Sequence, residues 1–202
     1  MRSRATSSLA RRNESTMSPD AALTAAEARF QALTTYQLTL RSHPADGDAI
    51  ELRYSFRKPG FIRMDFVRPH AGATLIYSPE TRTARVWPFG FPRFPSLALD
   101  PDNPMIRGPH GHRVDQSDMG TLLRNVRALG KGGVMRIDGA HLVVDGASAR
   151  TVAGVHRYRL RFDPATSLPI EVVSEDEFGA LIESVTLDAL RIDITFPQDF
   201  FV

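Results

Sequence analysis

Cysteine is absent from the 202 residues, which removes disulfides, thiolate metal sites and cysteine nucleophiles from consideration. Lysine is nearly absent: Lys58 and Lys131 are the only two, and arginine supplies the other cations. No apolar run is long enough to cross a bilayer, and the N-terminus lacks the apolar h-region of a secretory signal. The chain is therefore read as not membrane-spanning. Phosphate-binding glycine loops, dinucleotide fingerprints and nucleophile elbows are missing too, so no cofactor is assigned. Charge of one sign is also scarce, since the formal net charge is +2. Arg2, Arg4, Arg11 and Arg12 against Glu14 account for more than that excess, which leaves no basic patch on the remainder and argues against a nucleic-acid partner.

Residues 1–17 are read as a disordered leader or a segment outside the fold, and 18–202 as a single domain able to bury one core. Ser18-Pro19 predicts a helix start, with serine at the cap and proline at the first helical position; Leu23, Ala26, Phe30 and Leu33 follow at helical spacing. Tyr36, Leu38 and Leu40 then alternate with polar residues. Ile50, Leu52, Tyr54 and Phe56 do the same before Lys58-Pro59-Gly60, and Ile62, Met64 and Phe66 after it, which predicts a hairpin. Thr74–Tyr77 and Ala84–Trp87 continue the meander.

Pro88, Pro92, Pro95, Pro101, Pro104 and Pro109 predict a long excursion with short helical turns at most. Ser117 or Asp118 can cap a second helix with Met119, Leu122, Leu123, Val126 and Leu129 on one face, stopped at Gly130. Strands are then expected at Val134–Ile137, His141–Val144, Val155–Phe162, Ile170–Ser174, Ala180–Leu187 and Leu190–Phe196. The fold class is mainly β with two helices: an incomplete antiparallel barrel of about eleven strands covered by helices.

Candidate chemistry is sparse. His110 and His112 with Asp115 could bind a metal or serve as a general base, but no further partner stands at a recognisable spacing, and a loop leading to the Asp118 cap explains the cluster. No metal site and no catalytic residue are assigned. Arg157, Arg159 and Arg161 form a basic stripe that could face a lipid headgroup or an acidic partner protein; as a solvent face it could be neutralised by Glu171, Glu175 and Glu183 across the sheet. Tyr54, Phe56, Met64, Phe66, Tyr77, Trp87, Phe89, Phe91 and Phe94, with Met119, Leu122 and Leu123 from the second helix, either pack as an ordinary core or line a cavity for acyl chains.

The order of elements, the Phe56-Arg57-Lys58-Pro59-Gly60-Phe61-Ile62-Arg63-Met64 hairpin, the Thr74–Phe89 segment, and Phe162 to Ile170 followed by Ile192-Asp193-Ile194-Thr195-Phe196-Pro197 resemble the LolA-like family of periplasmic lipoprotein carriers. The segment from Leu99 to Met105 leading into His110–Leu123 is nearer to an uncharacterised LolA-like bacterial subgroup. The resemblance implies a monomeric, non-enzymatic periplasmic protein that binds a lipid or an acylated lipoprotein in the concave face of a half-barrel. It also implies that Lys58, before the hairpin proline, takes the place of a lid latch. A sensor or scaffold domain that binds an envelope protein is the alternative.

Overall fold

The computed structural model describes residues 17–108, 111–147 and 154–202. The leader expected over residues 1–17 lies outside them except for Met17. The chain begins with helix α1 (Pro19–Ala32) and strands β1 (Thr35–Pro44), β2 (Ile50–Arg57), β3 (Phe61–Arg68), β4 (Thr74–Ser78), β5 (Thr83–Trp87) and β6 (Leu97–Leu99). Short 3-10 turns at Pro104–Ile106 and Val114–Gln116 lead to α2 (Met119–Gly130). Strands β7 (Val134–Asp138), β8 (His141–Asp145), β9 (Arg157–Phe162), β10 (Pro169–Glu175) and β11 (Leu181–Ile192) follow.

The eleven strands among the described residues form one antiparallel sheet in the order β6-β5-β4-β3-β2-β1-β11-β10-β9-β8-β7. Two meanders, β1–β6 and β7–β11, are thus joined by the pairing of β1 with β11. The outermost strands β6 and β7 do not pair with each other, so the sheet stays an open, barrel-like trough. Both helices pack on its inner face.

The expected number of strands is met by a different set. Ala180–Leu187 and Leu190–Phe196 were expected as two strands, but Leu181–Ile192 is one, bent where Ala189 takes φ 51°. The register with β1 slips there, from Gln37 opposite Arg191 to Thr39 opposite Asp188, and a bulge of this kind turns a strand without ending it. The eleventh strand is β6, inside the proline-rich excursion. As an edge strand it needs hydrogen bonds on one side only, which it makes with β5.

β11 ends because Asp193 takes φ 51° and folds its carboxylate back, where Oδ1 accepts from Thr34 N at 2.8 Å and Thr34 Oγ1 at 3.2 Å. These hydrogen bonds, that from the Thr34 amide foremost, hold the Asp193 carboxyl below the usual range. The tail beyond crosses to the outer face, where Phe196, Phe200 and Phe201 pack with Phe61, Ile76, Trp87 and Phe91. Arginines interleave with these rings: Arg63 Cζ lies 4.5 Å from the Phe200 centroid, and Arg57 Cζ lies 4.4 Å from that of Phe61.

Both helix starts form where the capping residues stand. Ser18 Oγ accepts from Ala21 N at 3.2 Å, and Asp118 Oδ1 accepts from Thr121 N at 3.0 Å. Ser117, the other candidate cap, instead donates to Val114 O at 2.7 Å and pairs with Tyr54 Oη at 3.1 Å. α1 buries Ala22, Leu23, Ala26 and Phe30, and α2 buries Met119, Gly120, Leu123 and Val126. The helices touch at Gly120, where a Cβ would stand 2.2 Å from Phe30 Cε1, so only glycine admits this approach. Arg127 ties them again, donating to Glu27 Oε1 at 3.0 Å, Glu27 Oε2 at 2.6 Å and Thr24 Oγ1 at 3.0 Å.

Candidate functional site

Strand register arranges the inward side chains in rows across the trough. Tyr36, Phe56, Ile62, Tyr77, Ala84 and Leu99 form one row; Leu38, Tyr54, Met64, Leu75, Val86 and Leu97 form the next. Beyond these lie Leu187, Leu40, Leu52 and Phe66, then Val172, Val185, Ser42 and Ile50. The first row is largely packed: Phe56 lies 5.9 Å from Phe30 of α1 and 5.0 Å from Tyr36, centroid to centroid. The later rows diverge from the helices and leave a cavity of about 680 Å³. That volume falls in the range of small-molecule pockets.

Five residues of the expected cavity set stand on its wall: Tyr54, Met64, Phe66, Met119 and Leu122. Phe56, Tyr77 and Leu123 do not. They are buried in solid packing beside it. Trp87 is a correction of parity, because Val86 faces the cavity and its neighbour Trp87 must face outward, into the cluster closed by the C-terminal tail. Phe89 and Phe94 are 66% and 90% exposed, and Phe91 packs edge-on against Trp87 at 5.0 Å. The turn after β5 carries this aromatic group away from the trough.

The far side of the opening is bordered by exposed Pro88, Leu97 and Met105. Over the trough, two tyrosines pin the start of α2. Tyr36 Oη accepts from Met119 N at 3.2 Å, and Tyr54 Oη bonds Ser117 Oγ. Burial is the main cause that pushes both phenols well above their ordinary value of 10.0. Lys58 reaches the other helix: Nζ donates to Phe30 O at 3.0 Å and Gln31 O at 2.7 Å. These are C-terminal carbonyls of α1, which no intrahelical N–H satisfies and which favour a cation.

Sequence reading missed the cavity's polar end. Ser174 and Tyr158 follow Glu183 in one row across β11, β10 and β9. Glu183 continues the inward alternation of Val185 and Leu187, so it faces the trough rather than the arginine stripe, and Ser42 Oγ donates to its Oε1. Burial, followed by the Glu183 charge, pushes the Tyr158 phenol up to about 12. The stripe is neutralised by other partners: Arg157 by Asp145 and by Glu175 at 2.9 Å, and Arg161 by Glu171 at 2.8 Å. Arg159 lies 3.9 Å from Glu175.

His110 lies outside the described residues. His112 Nε2 stands 3.9 Å from Glu183 Oε2, while Asp115 is engaged by Arg113 at 3.0 and 2.8 Å. His112 and Asp115 therefore serve different neighbours. Among the described residues no three His, Cys, Asp or Glu side chains gather as metal ligands would, and no helix is long and apolar enough to cross a membrane.

No family model matches the sequence, and no curated protein matches it. Several solved structures are similar. An uncharacterised conserved protein from Thermus thermophilus shares 13% identity over 89% of this chain and 94% of its own, with a TM-score of 0.49. A LolA superfamily protein from Nitrosomonas europaea shares 9% identity over 92% and 97%, at 0.40. MucB from Pseudomonas aeruginosa, solved with MucA, shares 14% over 91% of this chain and 60% of its own, at 0.49. A LolA superfamily protein thus stands among the similar structures, at an identity that concerns fold alone.

Proposed function

We propose that this chain is a non-enzymatic binding protein that holds a lipid or the acyl chain of a lipoprotein in the inner face of its half-barrel. A role in carrying such a ligand within the cell envelope, in the periplasm, goes with this reading. The observation that carries it is the apolar space of about 680 Å³ between the sheet and α2, walled by side chains such as Leu38, Leu52, Met64, Leu75 and Leu122. Each buried methylene contributes about 0.8 kcal/mol. A chain of about sixteen carbons then gains about 13 kcal/mol, which after an association cost of about 4–5 kcal/mol leaves binding in the micromolar range.

Met64 and Met119 suit a ligand without fixed shape, because an unbranched thioether side chain adapts its rotamers to the contents. α2 roofs the space, held at its start by Tyr36 and Tyr54 and along α1 by Phe30 and Arg127. Lys58 acts one step back, fixing the end of α1 on which Phe30 sits. A protein partner along the arginine stripe has less support, because those guanidiniums face carboxylates of their own sheet.

The test is titration with a fluorescent fatty-acyl probe, using the native chain and Leu40→Trp. Leu40 stands mid-wall and is only half-buried, so a larger side chain there takes up cavity space. The reading expects saturable micromolar binding that weakens at least about tenfold in the variant, with stability lowered by less than the roughly 1–3 kcal/mol typical of overpacking a filled core. Absence of probe binding, or a variant that unfolds as an overpacked one does, contradicts it.

A further inference from the structure

The end of the cavity at Glu183 carries chemistry that an acyl chain does not need. Glu183 is 13% exposed, and Ser42 occupies its Oε1. Its Oε2 receives no hydrogen bond among the described residues, and His112 Nε2, at 3.9 Å, lies beyond bonding range. Yet Oε2 is not one of the fully enclosed, unpartnered side-chain atoms, of which the described residues contain none. The atom therefore opens onto the cavity with an unused lone pair.

Other polar groups facing the same space do not cancel it. Arg113 is held by Asp115, and Arg107 is exposed at the mouth, where Nε donates to Asp102 O at 2.8 Å. Asp118 is occupied as the α2 cap, accepting from Thr121 N at 3.0 Å and Thr121 Oγ1 at 2.6 Å. Ser174 Oγ donates to Glu183 O at 3.3 Å. A shielded carboxylate with a free acceptor, at the end of an apolar channel, favours a cation or a strong donor and repels another carboxylate.

We infer that Glu183 is a specificity-determining residue that selects amphiphiles with an amine or hydroxyl head group over free fatty acids, the head group donating to Oε2 while the chain lies along Leu187, Leu40, Leu52 and Phe66. The inference rests on the acyl-binding reading above. Apart from Arg2, Arg4, Arg11, Arg12 and Glu14 the chain is close to neutral, so an amine preference would be local in origin.

Displacement of 1-N-phenylnaphthylamine by dodecylamine, monolauroylglycerol and laurate tests it at neutral pH, with all three below their aggregation limits. The native chain is expected to bind dodecylamine at least about tenfold more tightly than laurate, with monolauroylglycerol between. Glu183→Gln, which keeps an acceptor for Ser42, should bring the three within about twofold of one another. Glu171→Gln, on the outer face beside Arg161, should leave the order intact. Equal affinities in the native chain, or an order that survives in Glu183→Gln, overturn the head-group assignment while leaving acyl binding in place. If neither the probe nor any of the three lipids binds, both readings fall together.

Discussion

Lys58→Ala removes one ammonium and with it the only side-chain donors reaching Phe30 O and Gln31 O among the described residues, at 3.0 and 2.7 Å. A hydrogen bond from a charged donor contributes roughly 1.5–3 kcal/mol net, and a cation at a helix C-terminus a further 0.3–1 kcal/mol. Lys58 is half-buried, so water regains part of both carbonyls after truncation; the expected net loss is about 1–2 kcal/mol. In a domain of this size that lowers Tm by about 3–6 °C. The loss should be concentrated in α1. Hydrogen exchange read peptide by peptide should then show protection falling over residues 19–33 about five- to thirtyfold, with the centre of the sheet changed only by the global loss. Lys58→Arg should restore most of the stability, because its fork can still donate to two carbonyls. Unchanged Tm and unchanged α1 exchange in Lys58→Ala would refute the assignment of Lys58 as the anchor of this helix.

Gly120→Val should cost about 2–3 kcal/mol in urea unfolding, since its Cβ would stand 2.2 Å from Phe30 Cε1, and Phe30→Ala in the same chain should recover part of that loss; additive losses would show that the helices do not meet there. The raised Tyr158 phenol sets an alkaline limit. Its proton is held more tightly folded than unfolded, so its contribution is complete below pH 10.0, the ordinary tyrosine value, and lost as pH rises through about 12. Tyr158→Phe should therefore lose stability less steeply than the native chain across that window, and parallel curves would contradict the burial of its hydroxyl.

Alternation made the β2–β3 hairpin readable, because Arg53, Ser55 and Arg57 on one side of β2 contrast with Leu52, Tyr54 and Phe56 on the other. The caps of both helices were readable for a similarly local reason: Ser18 and Asp118 each precede a periodic apolar run. Trp87 shares its parity with Thr83 and exposed Arg85, which puts it on the outer face; its bulk suggested the trough, and Phe201 from the distant tail is what buries it outside. Phe56 and Tyr77 face inward as expected, but the difference between a packed row and an open one depends on where α1 crosses, which is a property of tertiary packing. Glu183 carried a signal that was passed over. Its parity with Val185 and Leu187 puts it inside, whereas its charge suggested a partner in the arginine stripe.

Occupancy of the cavity is the most direct test. Native mass spectrometry of protein produced in a bacterial host and purified without detergent should show the mass of the chain together with a population carrying one lipid-sized adduct, and delipidated protein should regain one adduct when monolauroylglycerol is added. A single unliganded mass before and after lipid addition, under conditions where a known lipid carrier retains its ligand, would contradict the account that the space beneath α2 is a binding cavity.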